Sequence, residues 1–198
     1  MLFLAALYHD VAKPDTRQLD DQGRYRFFDH DQIGAGVVER RAAALNLSNE
    51  EIARLGTIVR QHMRPMLLAQ AEQPPTRRAI YRFFRDSGEA GVDICLLSMA
   101  DVLATYGQGL PQAVWERHLD TVRQLLEAWW EHPAESVSPP ALLNGHDLME
   151  ALELKPGKQV GVLLEMIREA QAAGQVNDRE AALELARAGL IEHPDDQG

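Results

Sequence analysis

The opening of the chain constrains its fold more than any other stretch. Leu2-Phe-Leu-Ala-Ala-Leu-Tyr-His9-Asp10-Val-Ala-Lys13-Pro14 reads as a helix that is apolar all round and then presents an imidazole, a carboxylate and an ammonium in quick succession. A helix without a polar face belongs in an interior, so His9 and Asp10 are expected at or near a core, where each needs a partner. Taken alone, His9 would be an ordinary core histidine bonded to a carbonyl.

Further along, His30 opens the segment Phe28-Asp-His-Asp-Gln-Ile-Gly34-Ala35, His62 closes Ile58-Val-Arg-Gln-His62, and Asp101 sits in Leu96-Leu-Ser-Met-Ala-Asp101. The spacing predicts helices over 31–47 and from the capping box Ser48-Asn-Glu-Glu51 to His62. In the first, Ile33, Val37 and Leu45 supply the apolar positions. In the second, Ile52, Leu55, Val59 and His62 share a face, which points His62 inward. Residues 15–29 form a polar loop with room for two short strands turning at Asp-Gln-Gly, a flap expected beside His9 and Asp10.

Pro74-Pro75 breaks the chain, and Thr76 caps an arginine-rich helix. A long helix to Tyr106 is expected to bury Val92, Cys95, Leu96, Met99, Val102, Leu103 and Tyr106, with Ile94, Ser98 and Asp101 along the border. Asp101 lies next to Ala100 and three residues before Ala104, which leaves room for a neighbouring group. An arginine could equally claim it. Another helix runs from Pro111 to His132, with Trp115, Leu119, Val122, Leu125, Leu126 and Trp129 at packing positions and His118 on the surface or in the core. Ser136-Val-Ser-Pro-Pro140 is the expected hinge. It separates residues 1–135 from a helical tail over 141–192, and residues 193–198 read as frayed.

The ordered set His9-Asp10, His30, His62, Asp101 resembles the HD superfamily of metal-dependent phosphohydrolases, matching five of the six ligands of its His, His-Asp, His, His, Asp pattern. The resemblance implies an all-α domain, here N-terminally incomplete because nothing ahead of His9 supplies the first histidine. It implies a divalent cation (Mn, Fe, Co, Ni, Zn or Mg) held by His9, Asp10, His30, His62 and Asp101. Imidazole and carboxylate donors without a thiolate suit that range. Asp10 and Lys13 are the implied catalytic pair, Lys13 setting its ammonium against a phosphate oxygen while the cation activates water. A plain surface lysine at a helix end is the other reading of Lys13.

The tail Leu142-Leu-Asn-Gly145-His-Asp147-Leu148, Lys155-Pro-Gly157-Lys158-Gln-Val-Gly161 and Glu169-Ala-Gln-Ala-Ala-Gly174 is similar to the C-terminal body of bacterial tRNA nucleotidyltransferases, the CCA-adding and poly(A) polymerase family. That implies tRNA or another RNA as partner and a nucleotidyltransferase head elsewhere. No Gly-Ser occurs in these 198 residues, and the Asp-x-Asp at Asp29-His30-Asp31 has none ahead of it, so nothing here is like the segment that holds magnesium and nucleotide in such a head. Two glycines and two lysines at a helix start (Lys155, Gly157, Lys158, Gly161) can receive a phosphate, or simply allow close packing.

The net charge of −10 argues against broad phosphate-backbone binding. Residues 54–85, however, hold Arg54, Arg60, Arg64, Arg77, Arg78, Arg82 and Arg85 against the single acid Glu72, the one anion-facing patch the sequence offers. The opening apolar run is too short to span a bilayer and no targeting signal is read, so a cytoplasmic, membrane-free protein is expected. The single Cys95 reads as a small core residue. The function expected is hydrolysis of a phosphomonoester or a 2′,3′-cyclic phosphate, with a tRNA-binding tail. The alternatives are a non-catalytic RNA-binding scaffold and a stand-alone hydrolase of small nucleotides.

Overall fold

The computed structural model describes residues 1–192, so the fraying expected at 193–198 lies outside the described residues. The all-α expectation holds: eleven α-helices, with one 3-10 and one π turn, accompany a single two-stranded hairpin among the described residues. They divide into two compact units, one of residues 1–74 and 86–126, the other of residues 75–85 and 127 onward. The division does not fall at the 136–140 hinge, because residues 75–85 of the arginine-rich helix belong with the second unit.

In the first unit, α1 (Leu2–Tyr8) stops at His9, earlier than the apolar run suggests. A turn over residues 9–12 follows, and Pro14 then starts the short α2 (Lys13–Thr16), where a missing N–H costs nothing. The antiparallel strands β1 (Arg17–Leu19) and β2 (Tyr25–Phe27) pair Arg17 with Phe27, Gln18 with Arg26 and Leu19 with Tyr25. Asp20 closes the loop between them by accepting the backbone N–H groups of Gln22 and Arg24. The expected pair of short strands is therefore present.

Next come α3 (His30–Ala44) and α4 (Asn49–Gln61), joined by a tight connection. Asn46 takes a left-handed φ of 57°, and Leu47 N–H returns to the Ala42 carbonyl. Ser48 then opens α4 with its reciprocal bonds to Glu51, as the capping box requires. The buried face of α3 differs from the expected one. His30, Gly34, Ala35, Val38 and Ala42 are buried, while Ile33 and Leu45 are about half exposed. Small residues let α3 lie close against α4: a Cβ on Gly34 would meet Val59 Cγ1 at 3.4 Å and Ala12 Cβ and the His9 carbonyl at 3.7 Å.

After α5 (Arg64–Gln70), the remaining long helix of this unit is α7 (Ala90–Tyr106). By length and composition residues Ala90–Gly109 would suffice for a membrane span, but α7 is a core helix here, packed against α1, α4 and α5. Its buried stripe is rotated from the expected one. Ile94, Cys95, Leu97, Ser98 and Val102 face inward, whereas Leu96, Leu103 and Tyr106 are exposed. Apolar residues surround this helix, so periodicity has little to lock onto. The polar residues fix its rotation, because Ser98 Oγ meets His118 Nε2 at 3.0 Å and Asp101 faces His9. His118, on α8 (Gln112–Trp130), is thus a core histidine that burial holds below its usual pKa, and Leu119 beside it is partly exposed.

The second unit begins with most of α6 (Arg77–Ser87). Thr76 Oγ1 caps that helix by accepting Ala79 N–H. Phe84 stacks on Trp129 near the end of α8, with ring centroids 5.0 Å apart. A single π-turn, Pro133–Val137, leads toward α9 (Gly145–Leu152), α10 (Lys158–Ala172) and α11 (Arg179–Glu192). Asn144 and Asp147 form a second capping box at α9. Leu148, Leu163, Ile167, Ala182 and Ala186 bring the last three helices onto one core.

Candidate metal centre

Each of the four elements that build the site delivers its ligand at a place where the side chain can turn inward. His9 caps the end of α1, Asp10 follows in the turn, His30 is the first residue of α3, His62 caps the end of α4, and Asp101 lies along α7. Asp29 takes a left-handed φ of 59° just before His30. Aspartate tolerates that conformation better than most residues, and it turns the chain sharply from β2 into α3.

The five side chains, spread from position 9 to position 101, converge. His9 Nε2 lies 3.3 Å from Asp10 Oδ2 and 3.6 Å from Asp101 Oδ1, and Asp10 Oδ1 lies 3.6 Å from His30 Nε2 and 3.8 Å from His62 Nε2. The rings of His9 and His30 each meet His62 edge-on, with centroids 5.1 and 5.2 Å away. His30 and His62 are buried and the others are partly so. Lys13 Nζ donates to Asp10 Oδ2 at 2.7 Å and lies 5.7 Å from the Phe27 ring centre. It is no free surface lysine.

The decisive detail is on the outer side of the rings. His9 Nδ1 donates to the Ala6 carbonyl at 3.0 Å, His30 Nδ1 to Phe27 and His62 Nδ1 to Val59, both at 2.7 Å. Each carbonyl belongs to the residue three positions back, and each fixes the proton on Nδ1. That leaves the Nε2 lone pairs aimed into the cluster. All three Nε2 atoms, with Asp10 Oδ1, are buried and have no hydrogen-bond partner. Buried polar atoms are seldom left so; those of His9, Asp10 and His62 lie within 4.8 Å of one another, a donor set that a divalent cation fits, and His30 Nε2 faces the same Asp10 oxygen.

The electrostatics agree. Asp10 and Asp101 push the His9 imidazole up to about 10 against the opposing effect of burial, so in the metal-free chain a proton answers their demand for positive charge. Burial alone would raise Asp10, yet His9 and Lys13 hold its carboxyl well below the usual range. His9 likewise lowers Asp101. Burial, reinforced by the other two histidines, keeps His62 below its ordinary value and therefore neutral, as a ligand must be.

The expected RNA-facing residues fare differently. The arginines of residues 54–85 do not form an open anion-binding patch, because the fold supplies each with a carboxylate. Arg54 meets Asp93, Arg60 meets Glu39 and Arg64 meets Asp86, all at 2.9 Å, while Arg77 meets Glu135 at 3.6 Å. Arg82 grips Glu169 with two N–H groups at 2.6 and 2.9 Å, and Arg85 reaches Glu165 at 3.1 Å. Arg78 Nε lies 3.2 Å from Glu169 Oε1 as a charge contact without hydrogen-bond alignment. By contrast Lys155, Gly157, Lys158 and Gly161 are all exposed around the start of α10, and neither lysine has an ion-pair partner among the described residues. A Cβ on Gly161 would meet nothing within 4 Å, so that glycine is not there for packing.

Sequence reasoning missed the Ser98–His118 pair and the gathering of arginines by Glu169. The first had a signal in Ser98 recurring one turn before Asp101. The second had none, since the partners lie more than eighty residues apart.

A mainly helical unit with converging histidines and aspartates around unsatisfied nitrogens defines a class, and the chain belongs to it: the HD domain family model matches residues 1–105, which contain His9, Asp10, His30, His62 and Asp101. The model of tRNA nucleotidyltransferase domain 2 matches residues 99–186. The chain is 34% identical over 180 residues to a CC-adding tRNA nucleotidyltransferase of Thermus thermophilus, covering 90% of this chain and 38% of that protein. It is 31% identical over 195 residues to an A-adding tRNA nucleotidyltransferase of Deinococcus radiodurans, covering 98% of this chain and 43% of that one. The chain thus spans about two-fifths of the length of these curated relatives. No solved structure matches it.

Proposed function

We propose that this chain is the HD region of a tRNA nucleotidyltransferase-like protein, that it binds a divalent cation through His9, Asp10, His30, His62 and Asp101, and that it hydrolyses a phosphoester, either a phosphomonoester or a 2′,3′-cyclic phosphate. The observation that carries this reading is the set of four buried, unpartnered donor atoms in which three imidazole nitrogens gather around Asp10. Bound there, the cation would supply Lewis acidity, lowering the pKa of water and neutralising phosphate oxygens. Asp10 lies within 4 Å of all three imidazole Nε2 atoms, so its two oxygens face them together. Lys13, held on Asp10, keeps an ammonium at the edge of the cluster for a phosphate oxygen. Burial of the imidazoles restricts water to the open side.

The RNA partner is proposed from the tail. Lys155 and Lys158 present unpaired charge, Gly157 and Lys158 stand where the N–H groups of a helix start are free, and Gly161 leaves the surface open beside them. The named relatives act on tRNA, which is the substrate this tail would hold. Arg64, Arg77, Arg78 and Arg82 contribute less, because their charge is already matched. A scaffold reading, RNA binding without catalysis, is favoured by the same lysines, since nothing in their exposure depends on a metal.

Incubation of the purified chain with Ni²⁺, Mn²⁺ or Mg²⁺ and 2′,3′-cyclic AMP separates the two. Turnover that disappears in Asp10→Ala supports the hydrolase. No turnover with any metal, together with tRNA binding that survives chelation and falls with salt, leaves the scaffold.

A further inference from the structure

The hairpin beside the metal centre is built with two unlike faces. Cross-strand partners point to the same side of a sheet, so the register places Gln18, Asp20, Arg24 and Arg26 on one face and Arg17, Leu19, Tyr25 and Phe27 on the other. On the first face charge is matched: Asp20 Oδ2 accepts from Arg24 and Arg26 at 3.2 and 3.0 Å. On the second it is not. Arg17 has no ion-pair partner among the described residues and lies over the Tyr25 ring, 5.0 Å from its centre. Tyr25 is 57% and Leu19 65% exposed, a costly arrangement for a two-stranded hairpin with no third strand to cover it.

This second face is continuous with the metal centre. Phe27, two residues along the strand from Tyr25, lies under the Lys13 ammonium, and Lys13 is bonded to Asp10. His30, fixed by the Phe27 carbonyl, follows directly from the same strand. From the cluster outward the order is therefore donor atoms, an ammonium, an aromatic ring, and a second, more open aromatic ring with an aliphatic neighbour, over which Arg17, rooted opposite Phe27, lays its guanidinium. That order matches a nucleotide laid out from its phosphate to its base: cations where the charge is, a flat apolar surface where the ring is. Bases stack on aromatic side chains and guanidinium planes without regard to sequence.

We propose that Tyr25, Leu19 and Arg17 form a stacking shelf for the nucleobase of the phosphoester whose phosphate occupies the metal centre. The inference rests on the phosphohydrolase reading and adds to it a substrate preference: nucleotides over phosphoesters that lack a base. Binding of 3′-AMP and of ribose 5-phosphate to the full chain with Mn²⁺, measured by calorimetry, tests it alongside kcat/KM for 2′,3′-cyclic AMP. Tyr25→Ala weakens 3′-AMP about tenfold, the scale of one lost stacking contact, and leaves ribose 5-phosphate and Mn²⁺ binding unchanged. Tyr25→Phe, which keeps the ring, behaves as the parent, and kcat/KM falls in Tyr25→Ala through KM. A parent chain that binds both probes equally, or no 3′-AMP at all, overturns the shelf, as does equal loss of both probes in Tyr25→Ala. Failure of the hydrolase reading shows separately, as absence of turnover in the parent chain while the difference in 3′-AMP binding persists.

Discussion

Replacing Glu169 with glutamine removes one charge and almost no volume, so its effect isolates the electrostatics of the contact between α6 and α10. Arg78, Arg82 and Arg85 stand at i, i+4 and i+7 on α6, and Glu169 on α10 lies within 3.9 Å of all three. A unit pair at about 4 Å is worth about 4 kcal/mol at an effective dielectric near 20. Here the guanidiniums are 37 to 51% exposed, which cuts each contact to the order of 1 kcal/mol or less. Three such contacts, and the mutual repulsion among three arginines that lose this shared carboxylate, make a loss of about 2 kcal/mol for Glu169→Gln. The Arg82 bonds, opposed by burial and aided by Arg78 and Arg85, hold the Glu169 carboxyl below its ordinary value of 4.5. A depressed carboxylate contributes stability above its unfolded pKa and loses it as pH falls through the folded one. Hydrogen exchange of α10 amides, followed by mass spectrometry, reads this unit directly: about thirtyfold faster exchange in Glu169→Gln at pH 7, narrowing at pH 3 and in 1 M salt. Equal exchange at pH 7, or a gap undiminished at pH 3, would show that the cluster is decorative.

The remaining predictions concern both units. Ni²⁺ or Mn²⁺ at about a hundred times its dissociation constant stabilises the first unit by about 2.7 kcal/mol, seen as a rise in melting temperature that Asp10→Asn and His62→Ala abolish. A rise that persists in both variants would place the metal elsewhere. Burial pushes the Cys95 thiol up to about 12, so a thiol reagent at pH 8 finds no reactive cysteine in the folded chain and one after denaturation; rapid labelling of the native chain would contradict its place in the core. Leu148, fully buried among α9, α10 and α11, costs about 3 kcal/mol when cut to alanine, measured as the drop in urea midpoint for the second unit. A loss under 1 kcal/mol would mean that this core closes around the gap.

The cluster of histidines and aspartates was legible because its residues are out of place in their surroundings: imidazoles and carboxylates at the ends and inner faces of apolar helices announce themselves. The capping box at Ser48 was legible for a related reason, since it is complete within four residues; its counterpart at Asn144 came only from the structure. What could not be read was decided at longer range. On α7 nearly every side of the helix is apolar, so the buried face is chosen by Ser98 and Asp101 finding His118 and His9, partners on other helices. On α3 the inward face is the one with the smallest side chains, which a count of large apolar residues overlooks. The arginines of α6 looked unopposed only because Glu165 and Glu169 lie some eighty to ninety residues downstream.

Gly34 acts as a gauge block for the cluster. His30 rides on α3 and His62 on α4, and the separation of those two helices is set where Gly34 faces Val59. An alanine there still fits, but a side chain of valine size would wedge the helices apart and widen the gap between the two imidazoles, each already clamped by its own carbonyl. Ions of different radius could thus be admitted or refused by altering a residue that never touches one.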